Sequence, residues 1–125
     1  MYTCVEVEFL LDQGIDLFNR RYFFEAHDVW EEIWQAERSP MRDFYKGLIH
    51  LAGGFHHFQN ENFRGSAALF TSGLRYLRPY RPGQMGIDLA AILPFIEEQL
   101  AKVTRLRDGT SRHEEVEFLM IRRQT

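Results

Sequence analysis

A histidine and a glutamate lie one helical turn apart in the segment 22–37, and they are the side chains of this sequence most suited to chemistry. The spacing of His27 and Glu31 places an imidazole and a carboxylate on one face of a predicted helix. Such a pair can share a metal ion or hold a proton between its two members. Trp34, one turn further along, would exclude water and strengthen the electrostatics of the pair.

The next predicted helix carries two further histidines on a face that is rich in glycine. His50 and His57 are two turns apart and aligned within about 20°. Gly47, Gly53 and Gly54 lie on the same side of the helix. Each glycine inside a helix costs about 1 kcal/mol relative to alanine. The three glycines therefore indicate that another backbone or a ligand comes very close to this face.

An antiparallel hairpin would bring the two groups together. If the turn is centred near Arg38 and Ser39, residues equally far before and after it lie at the same height along the two helix axes. His27 lies about twelve residues before the turn, so it would face the region of His50, about twelve residues after it. Two histidines and Glu31 form a set of ligands that zinc or ferrous iron accepts. Two other interpretations stay open, because the same residues could fix the helical hairpin as a structural network or line a small polar pocket.

The positions of the apolar residues predict an all-α protein. Their periodicity indicates five helices, at about residues 5–18, 22–37, 40–59, 63–77 and from 88 to 102 or 107. Ser39-Pro40, Asn62 and Asp88 are the expected start signals of the last three helices, and Pro94 is expected to kink or divide the fifth. The short loops imply antiparallel neighbours, hence an up-down helical bundle that forms one domain over residues 1–108.

A faint internal repeat is present at a spacing of forty residues. It relates the set Phe18, Phe23, Ala26, Val29, Trp30 and Trp34 to the set Phe58, Phe63, Ser66, Leu69, Phe70 and Leu74. Two related helical hairpins would explain the match. Two copies are fewer than a solenoid needs, so a compact bundle is predicted.

The composition limits the class of protein. The chain has 125 residues, 45% of them hydrophobic and 26% charged, which suits one globular domain. Its single cysteine excludes a multi-cysteine zinc site and fits a reducing cytoplasm. No apolar run reaches the roughly 18 residues of a membrane span, and the N-terminus lacks a basic signal region. We therefore expect a cytoplasmic protein without a membrane partner.

Nucleic acid is considered because arginines and tyrosines alternate in the segment Arg75–Arg81. Such a segment can hold phosphates and stack on bases. The net charge of −3 argues against this function. Cations at the end of the fourth helix also explain Arg75 and Arg78 without any ligand. Nucleic-acid binding remains a weak alternative.

Residues 109–125 are expected to form a C-terminal arm or a short final element. The stretch Val116–Ile121 is apolar and prone to β-structure, so something must cover it. It could reach a second copy or fold back over the fifth helix. The acidic first half of the chain and the basic segment Arg64–Arg81 could also support self-association, so a homodimer is expected.

The second helix resembles a known family motif. The residues YFFEAHDVWEEIW, 22–34, are similar to the E-A-H-x-x-x-E-x-x-W motif of a small bacterial and archaeal domain family of unknown function, number three-zero-nine. The resemblance extends over about residues 10–100. It implies an all-helical fold and a motif centred on Glu25, His27, Glu31 and Trp34. It implies no activity, and the family commonly has glutamine at the position of His50.

The function expected from these observations is a non-catalytic binding or assembly module. Its candidate pocket consists of Glu25, His27, Glu31, Trp34, His50 and His57. The alternative is a small metal-dependent or acid–base enzyme that uses the same residues, with zinc or iron held by His27, Glu31 and His50.

Overall fold

A computed structural model describes residues 2–124 and contains five α-helices in sequence. They are α1 (Cys4–Asn19), α2 (Phe23–Ala36), α3 (Arg42–Gln59), α4 (Phe63–Leu77) and α5 (Leu89–Asp108). A 3₁₀ turn (Arg78–Tyr80) and an antiparallel ribbon of β1 (Gly83–Gln84) and β2 (Ile87–Asp88) connect α4 to α5. Each helix packs mainly against the next one in the chain. The predicted all-α bundle of five helices is confirmed.

The helix ends follow local capping. Asn62 Oδ1 accepts a hydrogen bond from a backbone N–H at the start of α4, and Asp88 Oδ1 does so for α5, as predicted. The start of α3 differs from the prediction, because Ser39 Oγ accepts from the N–H of Met41 in a turn and the helix begins at Arg42. Of the two effects predicted for Pro94, a kink or a division of the fifth helix, the division does not occur, since α5 is continuous through this proline.

No described helix, within residues 2–124, has the length and apolarity needed to cross a membrane.

The hairpins α1–α2 and α3–α4 repeat one geometry forty residues apart. Arg21 and Glu61 occupy equivalent positions in the two turns and have positive φ angles of 67° and 57°. In each turn the following residue donates its N–H to the carbonyl five residues earlier, at 2.9 Å in the first and 2.8 Å in the second. The repeat predicted from the sequence is therefore a pair of related helical hairpins.

A glycine faces an aromatic ring at the equivalent place in each hairpin. A Cβ atom on Gly14 would lie 2.1 Å from Nε1 of Trp30, and one on Gly54 would lie 2.5 Å from the ring of Phe70. Both rings are fully buried. The indole of Trp30 also donates a hydrogen bond to the carbonyl of Leu11 at 3.2 Å. Each ring thus packs directly on the backbone of the preceding helix, at a distance that only glycine permits.

The C-terminal segment lies extended across its own bundle. The ring of Phe118 stacks on Phe23, with centroids 5.8 Å apart. The backbone of Ile121 exchanges two hydrogen bonds of 2.8 Å with the side chain of Asn19. The stretch therefore folds back on its own chain, but it rests on α1 and α2 as well as on α5, where the N–H of Glu117 donates to Gln99, and not on the fifth helix alone as the second alternative has it. This placement removes the argument that the stretch must reach a second copy, and the homodimer stays a prediction.

Two terminal residues, Met1 of the predicted domain 1–108 and Thr125 of the predicted arm 109–125, lie outside the described residues.

Alanine at Gly54 is expected to lower the free energy of unfolding by roughly 1–3 kcal/mol, because the buried ring of Phe70 leaves no room for a methyl group. Gly53→Ala is the matched control on the same helix. Its Cβ would meet only the end of the Leu69 side chain, which can rotate, and alanine favours a helix by about 1 kcal/mol. Denaturation in urea measures both variants, and equal destabilisation by the two would contradict the close-packing argument.

Candidate functional site

A cleft with a volume of 330 Å³ lies between α2 and α3. Its size is at the lower end of the range for small-molecule sites. Five of the six candidate residues line it, namely His27, Glu31, Trp34, His50 and His57. The sixth, Glu25, is exposed on α2 and is not among the lining residues. The rest of the lining consists of Phe24, Lys46, Ile49, Gly53, His56 and Leu69.

The imidazole of His27 lies between two carboxylates of its own helix. Its Nε2 is 3.4 Å from Oε2 of Glu31, and its Nδ1 is 3.4 Å from Oδ1 of Asp28. The ring is one-third exposed. A proton on Nδ1 that points to Asp28 leaves the lone pair of Nε2 directed towards Glu31. Carboxylates orient histidines in this way in many metal and catalytic sites.

His50 is oriented from a different helix. Its Nδ1 is 2.5 Å from the hydroxyl oxygen of Ser72 on α4. Burial, followed by the neighbouring Lys46, Arg75 and His27, lowers the pKa of His50 to about 4. The cleft therefore contains a neutral imidazole at neutral pH, which can bind a metal ion or accept a hydrogen bond.

Trp34 makes one direct link between α2 and α3 at the cleft, and Phe24 makes another with His56 of α3, their ring centroids being 5.5 Å apart. The guanidinium carbon of Arg42 lies 3.9 Å from the centroid of the indole ring, and Nζ of Lys46 lies 4.2 Å from it. Arg42 Nε also donates to the carbonyl of Trp34 at 3.3 Å. The contacts of His27 with Asp28 and Glu31, by contrast, stay within α2. These contacts favour the pocket interpretation over one in which the histidines fix the hairpin.

A possible cation-binding group is centred on α2. One ligand atom from each of His27, Asp28 and Glu31 lies within 4.8 Å of the others. Sequence reasoning missed Asp28, because it lies outside the i, i+4 pair and only the ring orientation of His27 brings it close. His50, the third predicted ligand, is not part of this group. A metal ion on Nε2 of His27 with Glu31 would have two protein ligands, fewer than the three of catalytic zinc sites.

The glycines of α3 divide between two roles. Gly47 and Gly54 face the buried Leu77 and Phe70 of α4, where an added Cβ would lie 2.5 Å from either side chain. Gly53 lines the cleft. The close neighbour predicted from the glycines is thus α4 at all three positions, because a Cβ on Gly53 would lie 2.6 Å from the side chain of Leu69.

The segment Arg75–Arg81 is used for packing. Arg78 pairs with Glu97 at 3.7 Å, and the hydroxyl of Tyr80 donates to the carbonyl of Pro40. These contacts hold the end of α4 against α5 and against the start of α3. They explain Arg78 and Tyr80 without nucleic acid, whose binding stays untested.

The stability of the protein is expected to fall between about pH 6.5 and pH 4 in part because of His50. Its pKa is 6.5 in an ordinary setting and about 4 in the fold, so the unfolded chain binds more protons in this interval. The contribution is present above pH 6.5 and is lost as the pH falls, and with the ring half-buried it amounts to roughly 1–2 kcal/mol.

Urea unfolding at about pH 7 and pH 4.5 measures how much free energy of unfolding is lost between the two pH values. His50→Gln should lose less than the unaltered protein. His113→Gln, at an exposed histidine of the C-terminal segment, is the control and should retain the full loss. An unchanged loss in His50→Gln would show that His50 titrates normally.

The chain is similar to proteins that are themselves uncharacterised. The chain is 25% identical over 100 residues to the uncharacterised protein YpuF of Bacillus subtilis (strain 168) and 28% identical over 92 residues to an uncharacterised protein of Aquifex aeolicus (strain VF5). These alignments cover 75% and 73% of this chain, but only 58% and 28% of the two relatives. The family model of the domain of unknown function DUF309 matches residues 11–69, which include α2 and α3 with the cleft between them. This match confirms the family that the residues around His27 predicted, DUF309, for the segment 11–69.

Proposed function

We propose that this protein is a non-catalytic binding module that holds a small molecule in the cleft between α2 and α3. The observation that carries the proposal is the convergence of His27, Glu31, His50 and Lys46 on one cleft whose remaining walls are largely apolar. A few polar groups in an apolar concavity are typical of ligand sites.

The cleft is preorganised by contacts with residues outside it. Asp28 faces Nδ1 of His27 from the outer side, and Ser72 of α4 holds Nδ1 of His50. A site whose side chains are already oriented loses less entropy when a ligand binds. The contacts of Asp28 and Ser72 therefore orient both imidazoles before a ligand binds, as a binding site requires.

The lining indicates the chemistry of the ligand. Lys46 provides a cation for an acidic group, and Glu31 provides an acceptor for an amine or another donor. Phe24, which is 51% exposed, offers an aromatic surface for a flat ring, whereas Arg42 and Lys46 already lie over the ring of Trp34. The proposed ligand is therefore a small planar molecule that carries both an acidic group and a hydrogen-bond donor. Anthranilate, whose ring bears a carboxylate and an amine, is a suitable probe.

Lys46→Met is expected to weaken the binding of anthranilate by about 10-fold or more, because it removes a charge-assisted contact. Arg42→Met is the matched control, since Arg42 also lies over Trp34 but does not line the cleft. Quenching of tryptophan fluorescence and calorimetry measure the affinity. Equal losses in both variants, or no binding of anthranilate, benzoate or aniline at millimolar concentration, would contradict the proposal.

A second candidate function is a divalent metal site, and the cluster of His27, Asp28 and Glu31 favours it. Such a site would support the alternative of a small metal-dependent or acid–base enzyme. Nε2 of His27 and a carboxylate oxygen of Glu31 would bind the ion, while Asp28 would orient the imidazole. His50 could complete the site only if a change of side-chain conformation brought it nearer.

Cobalt(II) tests the metal site, because its visible absorption reports the geometry of the ligands. With a site present, His27→Gln should abolish the signal, and Asp28→Asn should weaken affinity by roughly 10–100-fold. His113→Gln, at an exposed histidine elsewhere, should leave binding unchanged. A signal that survives in His27→Gln would exclude this cluster as the metal site.

A further inference from the structure

A second concavity, with a volume of 600 Å³, lies between α4 and the last residues of α5. Six residues of α4 and two of α5 line it, and three of the eight are arginines, namely Arg64, Arg75 and Arg107. We call it the arginine pocket. It shares no lining residue with the cleft between α2 and α3, so whatever it binds does not depend on the small-molecule ligand proposed above.

The arginine pocket has an excess of positive charge. Its one carboxylate, Asp108, is paired with Arg107, whose Nε and Nη2 lie 2.9 Å and 3.3 Å from the two carboxylate oxygens. The hydrogen bonds from Arg107, together with the charges of Arg107 and Arg64, lower the pKa of Asp108, so this carboxyl is ionised at neutral pH. Three guanidinium groups and one carboxylate leave two positive charges uncompensated.

The uncompensated charges belong to Arg64 and Arg75. Neither of them is in an ion pair with another residue in the described part of the chain, 2–124. Arg75 lies over the ring of Tyr76, 5.3 Å from its centroid. The end of α4 explains a cation at Arg75, but Arg64 lies in the first turn, where the helix dipole disfavours a cation.

The protein does not provide an anion for these two arginines from their own helix. The helix α4 contains no acidic residue, and none follows it before Asp88. The net charge of the whole chain is −3, so positive charge is concentrated at this pocket on an otherwise acidic protein. A bound anion would supply the partner that both guanidinium groups lack.

The spacing of the two arginines indicates the shape of the anion. Arg64 and Arg75 are eleven residues apart, which places them about 16 Å apart along the helix axis and within about 20° of one another around it. Ala68 and Thr71 lie between them on the same face, and these small side chains leave the space open. An anion with two phosphoryl groups can pair with each arginine separately, whereas a single phosphate must draw both side chains to one point.

The walls of the pocket favour a small anion over a nucleic-acid strand. Among the lining residues, all within the described range 2–124, there is no aromatic side chain on which a base could stack. The negative net charge of the protein also opposes the long-range attraction of a polyanionic chain. The pocket therefore offers contacts to phosphoryl oxygens and none to bases.

We propose that the arginine pocket binds a small anion with two linked phosphoryl groups, held by Arg64 at one end and by Arg75 at the other. The planar fork of each guanidinium group donates two parallel hydrogen bonds to phosphoryl oxygens. Arg107, already oriented by Asp108, presents a third guanidinium group from α5.

Inorganic pyrophosphate, in buffer without metal ions and at low ionic strength, is the probe. In the full chain it should shift the backbone amide signals of Ala68 and Thr71, and calorimetry should show binding at least about 10-fold tighter than that of inorganic phosphate. ADP presents the same diphosphate group and distinguishes the two sources of this chemistry. Equal affinities would assign the pocket to the diphosphate alone, as its walls predict, and tighter binding of ADP would assign it to nucleotides.

Variants of single arginines locate the site. Arg64→Gln and Arg75→Gln should each weaken the binding of pyrophosphate by about 10-fold or more, because each removes a charged donor. Arg81→Gln is the matched control, since it removes the same charge from an exposed arginine outside the pocket and should change binding less than about threefold. Lys46→Met, in the cleft between α2 and α3, should leave it unchanged.

A second pair of variants adds a charge instead of removing one. Ala68→Glu places a carboxylate between the two arginines and should weaken binding by about 10-fold or more, while Ala101→Glu, at an exposed alanine of α5 outside the pocket, should change it less than about threefold. No binding of pyrophosphate at millimolar concentration, or equal effects of Arg75→Gln and Arg81→Gln, would overturn the proposal. Single-stranded DNA that binds at least about 10-fold tighter than pyrophosphate through the same arginines would overturn it in favour of nucleic acid.

Discussion

The contact between an aromatic ring and a glycine backbone determines the spacing of the helices in both hairpins. Trp30 packs on Gly14, and Phe70 packs on Gly54, at distances that exclude any Cβ. The two pairs are forty residues apart, as are the turns that follow α1 and α3. Because α2 packs so closely on α1, and α4 on α3, these contacts also determine which face of α2 meets which face of α3. The cleft at that boundary depends on this packing.

The polarity of the cleft comes from three helices rather than from the motif helix alone. α2 supplies His27 together with the carboxylates on either side of its ring, and α4 supplies Ser72 behind His50. Lys46 of α3 lies over the ring of Trp34 at the edge of the cleft. Two imidazoles held in different ways thus face one space. His50 is neutral at neutral pH, whereas the ring of His27 has a carboxylate on either side.

Much of this arrangement is predictable from the sequence. The apolar period and the caps at Asn62 and Asp88 predict the helices, because these signals are local. Hairpin geometry alone brings His27 level with His50, since both helices rise by the same distance per residue. The spacing of forty residues likewise predicts the two hairpins, which the paired turns at Arg21 and Glu61 confirm.

Other features depend on tertiary contacts that no local pattern specifies. The role of Asp28 follows from the rotation of the His27 ring, and the bond of His50 to Ser72 follows from the way α4 packs on α3. The course of residues 113–124 is fixed by Phe118 on Phe23 and by Ile121 on the side chain of Asn19. A short apolar stretch without period predicts burial but not its partner.

The central claim is that the cleft between α2 and α3 is a preformed ligand site, and a crystal structure with anthranilate bound tests it most directly. The account predicts electron density for the ring beside Phe24, with the carboxylate at Lys46 and the amine at Glu31. His27 and His50 should keep their contacts with Asp28 and Ser72. Density for anthranilate at another surface, or a cleft filled by the side chain of Trp34, would contradict the claim.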